Sequence, residues 1–246
     1  QGNGRTGDRA SHHTELLPFI QGCNQLITRY FSYLNRQARR ALLGIALGIC
    51  AGIATAGVYD DLLKALEDNN TEAVTTILQR GMDVNTVDKS GNSLLMLAVE
   101  KGNVELVRFL IEHRARVRVR NQYGDTPLMY AALKGHIDIV KLLVAAGGEI
   151  NHPGWTPLIY AAFEGRDDVV EFLVSKGADL NALAPNQATA LMLASRNGHL
   201  GTVTLLLKAN ANPNIRTPDG ASALKWAADG KHDQIVEMLT KAGATK

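Results

Sequence analysis

The 246 residues are 46% hydrophobic, 20% charged and 5% aromatic, which excludes a disordered, collagen-like or polytopic membrane chain and, through the scarcity of aromatics, points away from a β-sandwich or barrel. The formal charge of +2 is unevenly spread: residues 1 to 56 hold six arginines against Asp8 and Glu15, so 20 of 26 basic and 22 of 24 acidic residues remain for 57 to 246. A body of about −2 lacks the clustered basic face of a nucleic-acid binder.

Residues 1–40 read as a poorly structured leader. Gly2, Gly4 and Gly7 spell GxGxxG without a preceding apolar strand, and His12 with His13 has no Cys or carboxylate at metal-ligand spacing, so neither a nucleotide nor a metal site is expected there. No Met precedes Met82, and two explanations stand for this stretch: translated sequence upstream of the true start, or a fragment. The two cysteines, Cys23 and Cys50, also fall before residue 57, so the body needs no disulfide or thiolate chemistry.

From Ala41 to Val58 the chain runs eighteen residues without a charge, preceded by Arg36, Arg39 and Arg40 and followed by Asp60 and Asp61. Basic residues, a short apolar run over 41–56 and the small-x-small pair Ala54 and Ala56 before Gly57 make the three-part pattern of a secretory signal, with cleavage expected at Gly57. The rival is an uncleaved membrane anchor, since Gly44, Gly48 and Gly52 form a GxxxGxxxG face and the run sits at the lower length limit for spanning. Either way the arginines hold the front end in the cytoplasm and send the body across.

The body is one unit repeated. Gly91, Gly124, Gly154, Gln187 and Gly220 open matching segments at spacings of 33, 30, 33 and 33 residues. Under Thr126 the chain reads TPLMYAALKGHIDIVKLLVAAGGEIN, under Thr156 TPLIYAAFEGRDDVVEFLVSKGADLN; Ser93, Thr189 and Ser222 open similar runs. Each unit predicts two helices. Thr126 or Thr156 caps the first, with Pro127 or Pro157 at its first position, and Leu128, Ala131 and Ala132 give it a small-residue face that ends at Gly135. The second presents an apolar stripe such as Ile137, Ile139, Val140, Leu142 and Leu143, and stops at Gly147 or Gly177. One such pair cannot bury its own stripe, so neighbours must stack.

These segments resemble ankyrin repeats in period, in the Thr-Pro-Leu opening, in Gly-His and in the closing Gly-Ala-Asp-x-Asn. The resemblance covers about 58–246 and implies an all-α ankyrin-repeat α-solenoid with β-hairpin-like loops. The ankyrin-repeat domain over 57–246 divides into six units at about 58–90, 91–123, 124–153, 154–186, 187–219 and 220–246, the first and last acting as caps. It also implies a protein–protein interaction scaffold, not an enzyme, that needs no cofactor and no metal.

His136, His199 and His232 fall where the family places a structural histidine, and no Walker loop, zincin helix, CxxC or G-x-S-x-G surrounds any candidate nucleophile. The family's variable positions lie on a concave face. Carried over, they are Lys89, Ser90, Asn92, Glu100 and Lys101; Gln122, Tyr123, Asp125, Leu133 and Lys134; Trp155, Phe163 and Glu164; and Pro185, Asn186, Ala188, Arg196 and Asn197. Tyr123, Trp155 and Phe163 have the residue types of a binding hot spot; alternatively, Trp155 and Phe163 pack against each other because the loop through His152 and Pro153 is three residues short. Tyr130, Tyr160 and Trp226 share one helix position and are expected in the packing between repeats. Arg114, Arg116, Arg118 and Arg120 alternate where other units read Gly-Ala-Asp-x-Asn; in an extended loop all four would share one side as a basic ridge, unless Glu112, Glu149 or Asp125 neutralises them.

The expected function is binding of another protein by a monomeric chain exported to the periplasm. The alternatives are an inner-membrane-anchored scaffold, the one case with a membrane contact, and a secreted effector; no nucleic-acid partner is expected.

Overall fold

The structure is a computed structural model that describes residues 57–245. The leader over 1–40 and the apolar run over 41–56, with Ala54 and Ala56, lie outside the described residues. Among the described residues, those from Leu62 onward form one compact unit.

Twelve helices follow one another among the described residues, and the nearest thing there to a strand is an isolated bridge between Val87 and Ser93. They come in six pairs. These are α1 (57–67) with α2 (Thr71–Gln79), α3 (Leu94–Glu100) with α4 (Val104–Glu112), and α5 (Pro127–Lys134) with α6 (Ile137–Ala145). There follow α7 (Pro157–Phe163) with α8 (Asp167–Ser175), α9 (Ala190–Arg196) with α10 (Leu200–Lys208), and α11 (Ala223–Asp229) with α12 (Asp233–Lys241). The fold is the expected α-solenoid.

Each first helix from α3 onward starts on a buried hydroxyl. Ser93, Thr126, Thr156, Thr189 and Ser222 accept from the N–H three residues on, at 3.2 to 3.3 Å, which satisfies an end donor that water cannot reach. Three places per repeat then take a left-handed backbone, with φ between +53° and +104°: the residue that ends the first helix, the residue that ends the second, and the loop tip. The glycine spacing of the sequence follows from these three turns. Arg114, Gln187 and Lys231 occupy such places without being glycine, at φ of 65°, 62° and 57°.

Packing runs from neighbour to neighbour. First helices α3, α5, α7, α9 and α11 touch in succession, and second helices α2, α4, α6, α8, α10 and α12 do likewise, less extensively. The buried alanines 98, 131, 132, 161, 162, 194 and 227 let the first helices approach closely. Leu106, Val107 and Leu110, with Ile139, Val140 and Leu143 and their equivalents, fill the space between the two rows, so one core extends from Leu62 to Leu239. At about 25 cal/mol per Å² of apolar surface, burial between repeats is what stabilises helices of seven to eleven residues that would not persist alone.

Two polar rows connect the same neighbours. After the second helices, Asn151 accepts from the Asp179 N–H and donates to the Gly177 carbonyl, both at 2.9 Å; Asn214 does the same to the Thr245 N–H and the Gly243 carbonyl at 2.8 and 3.1 Å. Asn85 and Asn181 accept from the N–H groups of Arg116 and Asn212, each at 2.9 Å. Before the second helices, the rings of His199 and His232 point Nε2 at the Phe163 and Arg196 carbonyls, 2.9 and 3.1 Å away, and Arg166 donates Nε to the Leu133 carbonyl at 3.2 Å. His136 bonds the Glu100 carbonyl in the same way. None of these four side chains caps its own helix; each joins its repeat to the one before, the structural role expected of the histidines.

The tips are hairpin-like. Asp88, Asn121, Ala184 and Thr217 donate their N–H to the carbonyl four residues on, at 2.9 to 3.1 Å. The shortened loop through His152 and Pro153 has no such bond. Among the described residues no helix is long and apolar enough to cross a membrane.

Candidate partner-binding surface

The ends of the first helices and the loop tips lie along one side of the stack, and the variable positions there fall into two groups. In the first, the side chain is already engaged. Asn92 is half-buried, donates to Asp88 at 3.0 Å and accepts from Asn121 at 2.8 Å. Asp125 accepts from the Tyr160 hydroxyl at 2.8 Å; burial and this carboxylate push the Tyr160 phenol far above its ordinary range. Asn197 donates to the Phe163 carbonyl at 2.8 Å. Glu164 pairs with Arg166 at 3.7 Å, and the Arg196 guanidinium lies 5.4 Å from the centre of the Trp226 ring. Ala188 is fully buried, which corrects its placement on the groove: the tip folds back and packs it on the core.

Trp155 also belongs with this group. It is half-buried, packs on the core and stacks on Tyr160 with ring centres 5.3 Å apart. Its ring contact is with the first helix of its own repeat, not with Phe163. Tyr130 and Trp226 pack on the core as expected of that helix position, and Tyr130 accepts from Asn121 at 3.3 Å.

The second group is free. Tyr123 is 77% exposed at the tip that leads into α5, and Phe163 is 39% exposed at the end of α7, the next first helix along the stack. Lys89, Glu100, Lys101 and Lys134 are exposed, and Leu133 is half-buried between them in sequence position. The side chains of Tyr123 and Phe163 make no polar or ring contact with the described residues, so two aromatic rings stand at least partly in water on this side of the stack.

Where three tip residues are missing, the stack opens into a cavity of about 380 Å³ lined by Asn151, His152, Pro153, Gly154, Thr156, Asp179, Ala182 and Leu183. His152 donates Nδ1–H to the Pro153 carbonyl at 2.9 Å, and its buried Nε2 has no partner.

The arginine segment is not extended: it turns at 117–118. Exposure still alternates, because Ala115 is buried and Val117 and Val119 are half-buried beneath the four exposed arginines. Arg120 pairs with Glu149 at 3.0 Å and also donates to the Gly124 carbonyl at 3.2 Å, while Arg118 donates Nε to the Gly147 carbonyl at 2.7 Å. Asp125, expected as a neutralising partner, instead bonds Tyr160. The side chains of Arg114 and Arg116 have no bonded partner.

The asparagine row escaped the sequence reading, although its signal was present: the final Asn of Gly-Ala-Asp-x-Asn recurs at 85, 151, 181 and 214.

Stacked helix pairs joined by hairpin-like tips, with a polar row on either side of the second helices, define a helical repeat scaffold. The family model described as ankyrin repeats (3 copies) matches residues 62–153, 115–184 and 180–246, together three quarters of the chain. The chain belongs to the ankyrin-repeat family, whose members generally mediate protein–protein interaction and are typically non-enzymatic scaffolds. Among curated proteins, none matches the chain.

Proposed function

We propose that this chain is an interaction scaffold that binds a protein partner on the side formed by the first-helix ends and loop tips, and that it acts without catalysis or cofactor. The observation that carries this reading is the exposure of Tyr123 and Phe163 at the tip before α5 and the end of α7, where Asn92, Asp125, Trp155 and Asn197 are tied into the fold and these two aromatics are not. The more extensive packing among first helices than among second helices supports a stack that curves toward that side, as a concave face requires. Leu133 and the free Lys89, Lys101 and Lys134 would rim the contact.

A photo-crosslinking residue placed at 123 or 163 in the native cell tests this reading. Both positions should capture one and the same protein, and positions 141 and 171 on the second helices should not. Capture only from 141 and 171 would place the contact on the opposite side.

The sequence from Ala41 to Gly57 supports export, with the body in the periplasm as a monomer. The GxxxGxxxG face over Gly44 to Gly52 favours a second reading, an inner-membrane anchor. Mass spectrometry of the mature protein separates them, since a species beginning at Gly57 excludes the anchor.

A further inference from the structure

The loop from Arg114 to Arg118 departs from its own repeat pattern at three positions, and no other loop between described repeats departs at all three. At the end of the second helix, where Gly81, Gly147, Gly177 and Gly243 take a left-handed turn and Asn210, of a residue type that tolerates it, does so too, Arg114 takes it at φ 65°. A side chain with Cβ is strained there. Two residues on, Asp83, Asp179 and Asn212 each accept from the N–H two residues further along at 2.9 to 3.0 Å, closing a tight turn; Glu149 does not, being paired with Arg120, and Arg116 has no acceptor to do so. At the asparagine row, Arg118 donates to the next repeat but cannot accept from it, as Asn85, Asn151, Asn181 and Asn214 do. No gain within the fold offsets these losses at Arg114 and Arg116, whose guanidinium groups are exposed and unpaired.

Local rules broken together in one loop, with the offending side chains directed to solvent, are the mark of a surface kept for a ligand. The geometry points to a docking site for an acidic protein segment on this loop, separate from the aromatic side of the scaffold and independent of the reading given for it. Arg114 and Arg116 are the free forks, each able to hold a carboxylate through two parallel N–H donors. Arg118 and Arg120 are held in place by the Gly147 carbonyl and by Glu149, so they frame the site. The ligand chemistry is carboxylate on a peptide, not a polyphosphate backbone or an anionic membrane. Those extended surfaces need a broad basic face, and here the positive loop is flanked on the same row by Asp83 and Glu149 in a body of net charge about −2. Such a rim admits a short acidic stretch and repels a long anionic surface.

The test uses the full chain and a fluorescein-labelled oligoglutamate peptide, read by anisotropy. A variant carrying Arg114→Gly, Arg116→Asp and Arg118→Asn restores the pattern of the other repeats, so it should fold at least as stably as the parent. The parent should bind oligoglutamate, with affinity that falls as salt is raised, and the variant should bind about tenfold more weakly or worse. A melting midpoint measured on both proteins separates loss of the site from loss of the fold; if the variant melts below the parent, Arg116→Ser and Arg116→Lys are compared instead, and the lysine change, which keeps the charge but not the fork, should lose less affinity than the serine change. Equal binding by parent and variant, absence of binding by the parent, or tighter binding by the parent to a single-stranded oligonucleotide or to phosphatidylglycerol vesicles would overturn the proposal.

Discussion

The His199 ring occupies the space that a side chain on Gly165 would need. Its Nε2 bonds the Phe163 carbonyl at 2.9 Å, and a Cβ on Gly165 would lie 2.5 Å from Nδ1. The glycine that ends one repeat's first helix and the histidine that opens the next repeat's second helix are therefore a single packing unit. Gly198 and His232 repeat it, at 2.6 Å from the hypothetical Cβ to the ring. Gly165→Ala combines a clash held in place by a hydrogen bond with a left-handed backbone, and should lower stability by about 2 to 4 kcal/mol. Gly177→Ala shares the left-handed backbone, φ 81°, but meets nothing within 4 Å. It should cost only about 1 to 2 kcal/mol. Urea denaturation midpoints of the two variants check the difference; equal losses would mean that the ring moves aside freely.

His136 makes stability depend on pH. Burial, then Lys134 and Arg166, lowers its pKa from the ordinary 6.5, so the unfolded chain binds a proton before the folded chain does. The contribution is complete above the ordinary value and is lost as pH falls below it, toward the lowered value. His136→Asn places there the residue found at the equivalent Asn103, and should reduce the fall in midpoint between about pH 7.5 and about pH 5.5. An unchanged pH dependence would remove His136 from the cause.

Asn151 tests the polar row. Asn151→Ala removes the bonds to the Asp179 N–H and the Gly177 carbonyl in an exposed loop, so about 1 to 2 kcal/mol should be lost in a denaturation series. A loss of a few tenths would show that water replaces the asparagine without penalty.

Trp155 and Tyr123 should part company. Trp155→Ala strips the ring stacked on Tyr160 and should lower stability by about 2 to 3 kcal/mol. Tyr123→Ala at a 77% exposed tip should change it by less than about 0.5 kcal/mol. Thermal melts of both variants decide it, and a large loss with Tyr123→Ala would mean that its ring packs on the tip.

Much of this was legible in the sequence because a repeat prints the same constraint several times. Thr126 and Thr156 before proline, Gly135 and Gly147 at helix ends, and the valine and leucine stripes each follow from one local rule. What was not legible depends on a partner in another repeat. Nothing beside Asp125 in sequence indicates that its oxygen meets Tyr160, or that Asn92 meets Asn121, so both were assigned to the groove as free polar groups. Trp155 shows the same limit: its position is variable, but the missing tip residues let its ring lie against Tyr160. The arginine alternation predicted exposure correctly for the wrong backbone, because the buried Ala115 and half-buried Val117 and Val119 hold the odd positions inward through a turn.

On the proposed function, the free rings of Tyr123 and Phe163 hold a protein partner. The dissociation constant of the crosslinked protein, measured by calorimetry against the parent chain and a Tyr123→Ala, Phe163→Ala double variant, tests it most directly. A loss of about 2 kcal/mol or more in binding is expected, with an unchanged melting midpoint. An unchanged dissociation constant in a fully folded double variant would contradict it.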